Sequence, residues 1–286
     1  MSIALSNGLR NALNSLGNLD TDIARTTGRL ATGKKVNSAL DNPQVFFQAR
    51  GFVDRANDLN QRQDNINNGL KTIQQTTNAL QSIDKAISSL IGIATAAQSL
   101  SNTAGTRSAL ALQFNTVLNS INDIVKDAGF NGTNLLSSTT AGILKISTDA
   151  TSGSAITLDS QLSNNTAGGI FGAAAIAATT GTSFDGAAGD TLLTTLTGTG
   201  AGSLRVGLDN ARSRAQGFGS LGTVIQARLD FNKSQISVLN SASDDLTNAD
   251  LNTEGANLSA LQTRQQLAVT ALSLANRSDQ AILRLF

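Results

Sequence analysis

Along the first thirty residues Leu5, Leu9, Ala12, Leu16, Leu19, Ile23 and Leu30 follow one another at alternating steps of four and three, with the polar Thr26 in the one gap. That spacing predicts a helix carrying a coiled-coil seam. The seam stops at Gly33, a residue suited to a helix end, and Pro43 fits the first turn of the next helix behind Asp41 or Asn42 as cap. From Leu59 the rhythm returns through Ile66, Leu70, Ile73, Leu80, Ile87, Ile91 and Ala94. Ala79, Ile83, Ala86, Leu90, Ile93, Ala97 and Leu100 form a second stripe beside it, so this helix needs two neighbours. After a break at SNTAGTRS, Leu110, Phe114, Val117, Ile121, Ile124 and Ala128 repeat the pattern, which predicts a helix folded back on the preceding one.

Between 140 and 205 the periodicity disappears and glycine, alanine, threonine and serine take over. ILKIST and AITLDS, separated by DATSGS, predict a β-hairpin. The rest of that stretch is low in charge and poor in large side chains, and reads as an irregular surface insertion that tolerates deletion from about Ala167 to Gly202. From Ala211 the helical steps resume through Ala215, Phe218, Ile225, Leu229, Ile236, Leu239 and Leu246, with Gly222, Asn232 and Ser243 as weak positions, and the helix is expected to run almost unbroken to residue 286. Over the last turns Leu258, Leu261, Ala268, Leu272, Ala275, Ile282 and Phe286 form one stripe, and Leu267, Ala271, Leu274, Ala281 and Leu285 another. One partner helix covers one stripe and leaves the other wet, so these residues call for several neighbours.

The pattern therefore predicts a mainly α fold. Long coiled-coil-like helices from both chain ends pack as an elongated rod, with a small β-hairpin and a glycine-rich insertion in the middle. Composition agrees: a single Pro among 286 residues permits very long helices. Aromatic residues make up 3% of the chain, all of them Phe, which favours Leu, Ile and Ala seams over a thick globular core.

The same composition narrows the chemistry. His and Cys are both absent, which removes the commonest general base, the thiolate nucleophile and most zinc, copper or haem ligands. No catalytic, cofactor or metal residue is assigned, and the expected role is not enzymatic. A net charge of +1 with few aromatics argues against a nucleic-acid binder. The first residues lack a basic start followed by an apolar run, and no run of 18 apolar residues occurs, so neither a cleaved signal nor membrane insertion is expected.

Two motifs mislead. Gly28 followed by Gly33-Lys34 imitates a phosphate loop, but Lys35 stands where Ser or Thr is needed and the approach is helical. Gly217, Gly219 and Gly222 imitate a dinucleotide fingerprint without a preceding strand. Neighbouring carboxylates such as Asp244 and Asp245, or Asp20 and Asp22, do not converge on a substrate: adjacent helical positions point about 100 degrees apart. They read as solvated surface.

With both ends in view the chain resembles bacterial flagellin. Arg29, Leu30, Gly33, Asn37, Ser38, Ala39 and Asp41 match the family's N-terminal signature. Near the other end Ala249, Asp250, Thr253, Glu254, Gln265, Gln266, Ala275, Asn276, Gln280, Leu283 and Leu285 match its C-terminal run. The resemblance spans roughly residues 1–139 and 206–286. It implies a structural subunit that polymerises with copies of itself, alone or together with other flagellins, into the extracellular flagellar filament used for swimming.

Within that filament, residues 1–36 and 251–286 are expected to form the inner tube, 37–139 and 206–250 the outer tube, and 140–205 a surface insertion. Assembly then falls to Leu5, Leu9, Leu16, Leu19, Ile23, Leu30, Leu258, Leu261, Leu272, Ile282, Leu285 and Phe286. Arg29, Gly33, Asn37, Ser38, Asp41 and Pro43 form the hinge. The resemblance also implies secretion through the flagellar export apparatus, a chaperone on the C-terminal segment, and filament-cap and hook-junction proteins as neighbours.

Two departures stand out. Asn42 and Pro43 replace the second acidic residue that usually follows Asp41. The charged patch read by the animal innate receptor is here Ser89, Leu90, Ile91 and Gly92, which predicts weak recognition. The alternatives are a hook–filament junction protein, which usually carries bulkier middle domains, and a soluble coiled-coil adaptor, which would lack the terminal motifs.

Overall fold

The computed structural model describes residues 7–99, 104–137, 143–147, 155–158, 170–171, 184–200 and 202–283. Six helices and one two-stranded sheet are described: α1 (Asn7–Thr32), α2 (Pro43–Ser99), α3 (Ala104–Asp127), β1 (Leu144–Ser147), β2 (Ala155–Leu158), α4 (Gly186–Thr197), α5 (Leu204–Thr247) and α6 (Leu251–Leu283). The chain divides into two compact units, one of residues 1–56 with 237–286 and one of residues 57–236.

In the unit of residues 57–236 both stripes predicted for α2 are buried, the first through Ile66, Leu80 and Ile87 and the second through Ile83 and Leu90. They share one core with Phe114, Leu118 and Ile121 of α3 and with Phe218, Ile225 and Leu229 of α5. The hairpin pairs antiparallel with Leu144 opposite Leu158 and Ile146 opposite Ile156. Ile146 and Leu158 turn into the core. Gly69 of α2 makes room for the first of them: a Cβ built there would lie 2.3 Å from Ile146 Cδ1.

The segment expected to be irregular behaves differently. Asp185 precedes the first residue of α4, and Leu193 and Leu196 are buried on the helix's inner face. Ile170, Phe171 and Phe184 are fully buried, with Phe184 edge-on to Phe114 at a centroid separation of 5.5 Å. Gly207 of α5 lets Phe171 in, since a Cβ there would fall 2.2 Å from Phe171 Cδ1. A scarcity of large residues predicts surface. The few present are the ones that fill the core, and the glycines next to them are clearance.

In the unit of residues 1–56 and 237–286, α1 packs against α6. The long terminal helix expected from Ala211 onward is two helices, because α5 ends at Thr247 and α6 begins at Leu251. The break has a cause in hydrogen bonding: Asp250 caps α6, accepting from the Asn252 and Thr253 amides at 2.9 and 3.3 Å and from the Thr253 hydroxyl at 2.8 Å. Among the described residues no helix is long and apolar enough to cross a membrane.

Candidate assembly interface

The last carbonyls of a helix have no partner within it and must find donors elsewhere. At the end of α5 those donors come from the segment after α1. The Lys35 and Val36 amides donate to the Thr247 carbonyl at 2.7 and 3.3 Å, and the Ala249 amide donates to the Gly33 carbonyl at 2.9 Å. Lys34 forms an antiparallel bridge with Asn248, and Lys35 Nζ donates to the Asp245 carbonyl at 2.9 Å. Gly33 makes the crossing possible. Its φ of +69° is left-handed, and its amide closes α1 on the Arg29 carbonyl at 2.8 Å. The glycine-lysine pair that imitates a phosphate loop is thus a helix end stitched to another helix end.

Next to this crossing Arg29 Nη1 reaches Glu254 Oε1 at 3.0 Å, and the Glu254 side chain is only 12% exposed. Farther along the pair, Gln265 Nε2 donates to Asp20 Oδ1 at 2.6 Å, so α1 and α6 run antiparallel. Leu16, Leu19, Ile23 and Leu30 are half-buried, as are Leu258, Leu261 and Leu272. Thr26, the polar gap in the α1 seam, is buried with them. The second α6 stripe is open: Leu267 is 64% exposed and Leu274 69%. Leu5, Leu285 and Phe286 lie outside the described residues, as do the side chains of Leu9 and Ile282.

Residues 37–42 form a tight turn around one carboxylate. Asp41 Oδ2 accepts from the Asn37 amide at 3.0 Å, the Ser38 amide at 2.9 Å and the Ser38 hydroxyl at 3.1 Å. These donors, the Ser38 amide first, hold the Asp41 carboxyl below its ordinary value. Asp250 is likewise lowered, chiefly by the Thr253 hydroxyl. Of the two predicted caps for α2 it is Asn42 that serves, through Oδ1 and the Val45 amide at 3.2 Å, with Pro43 as the first helical residue. The turn holds Leu40 outward, 95% exposed.

Sequence reasoning did not pair Arg29 with Glu254, Asp20 with Gln265, or Lys35 with Thr247. Each pair is more than 200 positions apart, and no local pattern links them. On α2, Ser89 and Gly92 are exposed, Ile91 is half-buried and Leu90 is fully buried. The other decoys are plain helix: Gly28 lies within α1, Gly217, Gly219 and Gly222 within α5, and Asp22 pairs with Arg25 at 3.1 Å.

The two ends that meet in this clasp carry the motifs by which the chain is related to known proteins. Residues 6–141 match the bacterial flagellin N-terminal helical region, and residues 206–286 the bacterial flagellin C-terminal helical region. Flagellin FljO of Caulobacter vibrioides is 31% identical over 100% of this chain and 98% of its own length. The chain belongs to the bacterial flagellin family. Flagellin FljM of the same organism is 30% identical over 100% of this chain and 98% of its own, and a flagellin of Brucella melitensis is 27% identical over 100% and 99%. Among solved structures, the crystal structure of Bacillus cereus flagellin is similar at 18% identity and a TM-score of 0.33, covering 68% of this chain and 94% of that one. As a flagellin, the chain is a structural subunit that polymerises with itself into the bacterial flagellar filament and serves motility.

Proposed function

We propose that α1 and α6 form the inner tube of the filament and residues 37–139 and 206–250 the outer tube, with residues 140–205 an insertion whose large side chains, Phe171, Phe184, Leu193 and Leu196 among them, pack into the core of the unit of residues 57–236. One observation carries the reading: the clasped helix pair covers one apolar stripe of α6 and leaves Leu267 and Leu274 more than half exposed. A pair that stays half-wet at heptad spacing suits a site completed by other subunits. Leu5, Leu9, Leu16, Leu19, Ile23 and Leu30 take that role near one end of the sequence, and Leu258, Leu261, Leu272, Ile282, Leu285 and Phe286 near the other. The hinge is Arg29, Gly33, Asn37, Ser38, Asp41 and Pro43. The route is export by the flagellar apparatus to the cell exterior, with a chaperone on the C-terminal segment and with cap and hook-junction proteins as filament neighbours.

Removing residues 251–286 tests the inner-tube role. It takes α6 away from every α1 seam, and filament mass measured by sedimentation and electron microscopy is expected to vanish. Leu272→Asp is expected to give the same loss by placing an unpaired charge in the seam. Normal filaments from either variant overturn the reading. Recognition by the animal innate receptor is expected to be weak, because Ser89, Leu90, Ile91 and Gly92 carry no charge. A reporter-cell response equal to that of a strongly recognised flagellin contradicts this, and Ser89→Arg with Gly92→Glu is expected to recover part of the signal.

A further inference from the structure

Two Asn-Gly pairs lie in the unit of residues 57–236, Asn68-Gly69 and Asn131-Gly132. Such a pair is open to attack by the glycine nitrogen on the asparagine side chain before it, because glycine has no Cβ to stand in the way. The backbone decides whether that attack is possible, and the two pairs differ there. Gly69 lies within α2, where its amide belongs to the helix ladder, and it is buried against Ile146. Asn131 and Gly132 are both exposed, and they lie between the end of α3 and the fully buried Leu135 and Leu136.

These two residues are the tip of a two-residue hairpin. The Phe130 amide donates to the Thr133 carbonyl at 2.9 Å, and the Thr133 amide donates back to the Phe130 carbonyl at 3.0 Å. Both tip residues are left-handed, with φ of +48° at Asn131 and +79° at Gly132, as the tight hairpin turn that favours Asn-Gly requires. Asn131 is the one non-glycine residue with positive φ among the described residues. Neither the Gly132 amide nor the Asn131 side chain has a hydrogen-bond partner among those residues, and a Cβ at Gly132 would meet nothing within 4 Å. The attacking nitrogen and the carbon it would attack are therefore adjacent, unhindered and not engaged elsewhere in the described structure.

We propose that Asn131 is a self-modification site, at which the folded chain loses the side-chain amide and gains aspartate or isoaspartate. The Gly132 nitrogen gives up its proton and bonds to Asn131 Cγ, closing a succinimide ring. The bond from Cγ to the side-chain nitrogen breaks, and ammonia leaves with that proton. Water then opens the ring at either carbonyl. Opening at Cγ restores the main chain with an aspartate, whereas opening at the backbone carbonyl leaves the main chain running through Cβ and Cγ as isoaspartate. The net change exchanges water for ammonia, with no oxidation or reduction, and the reacting groups are held together by the chain itself. Aspartate tolerates the left-handed tip. Isoaspartate lengthens it by one main-chain carbon, next to Asn134, whose Nδ2 closes α3 on the Val125 and Lys126 carbonyls at 2.7 and 3.2 Å.

The test is peptide mapping by mass spectrometry of the full-length monomer after incubation at mildly alkaline pH, where the attacking nitrogen loses its proton more readily. One sample is kept folded and one in guanidinium chloride. In the folded chain the Asn131 peptide is expected to exchange amide for carboxyl at least about tenfold faster than the Asn68 peptide. Attack at Asn68 has to wait for a turn of α2 to open, and a barrier higher by about 1.4 kcal/mol is that factor of ten. In denaturant the two peptides are expected to convert alike. Equal rates in the folded chain, or an Asn131 that keeps its amide, overturn the proposal. So does a difference that persists undiminished in denaturant, which would put its cause in the neighbouring sequence rather than in the turn. Both samples are monomeric, so the result does not depend on the inner-tube reading.

Discussion

Asp41 shows how one side chain organises a turn that has no core of its own. Its carboxylate gathers three donors from Asn37 and Ser38, and its lowered pKa is the thermodynamic trace of those bonds. Because the folded value lies below the ordinary 3.8, the stabilisation is fully present above that value and is lost as pH falls through the lower folded one. Amide exchange at Ser38 is expected to accelerate on acidification below about pH 4, relative to the intrinsic rate. In Asp41→Asn it should be fast, with no such step. A Ser38 amide insensitive to acid in the parent contradicts the assignment. Asn232 makes the opposite point: it is 3% exposed in the α5 seam, its Nδ2 has no partner among the described residues, and its burial comes from its place on the helix rather than its polarity.

At the level of elements the main correction concerns α4 and the residues before it. The deletion from Ala167 to Gly202, expected to be harmless when the segment reads as surface, removes Phe171, Phe184, Leu193 and Leu196 from the core. It is now expected to unfold the unit of residues 57–236. A sharper measure is Phe184→Ala, which should cost about 3–5 kcal/mol of monomer stability in urea denaturation, the usual range for a buried phenylalanine. A loss under about 1 kcal/mol would return this segment to the surface.

Over the whole molecule, burial is uneven. The unit of residues 57–236 holds side chains at or near zero exposure on α2, α3, α4 and α5, whereas the described seams of α1 and α6 are half-buried at best, apart from Thr26 and Glu254. Hydrogen exchange of the monomer should follow that division, slow through Ile66 to Leu90 and fast over residues 10–30 and 255–274. On polymerisation the terminal helices should become protected. Uniformly slow exchange in the free monomer contradicts a site completed by neighbours.

The sequence alone determined every described helix but α4, because a heptad seam is a local periodic signal that survives whatever the helix packs against: α1, α2, α3 and the course of α5 and α6 are legible from leucine, isoleucine and alanine spacing. It determined the hairpin, the end of the first helix at Gly33 and, through the terminal motifs, the family. Tertiary structure decided three things. The segment after α1 fixed the break in the last helix, its Lys35 and Val36 amides donating to the Thr247 carbonyl and its Gly33 carbonyl accepting from the Ala249 amide. Phe171 and Phe184 found a core because Gly207 and α3 left them room. The clasp of Arg29 to Glu254 and of Lys35 to Thr247 joined positions whose proximity exists only once the chain has folded back on itself. Periodicity is written residue by residue, but contact between distant segments is a property of the closed chain.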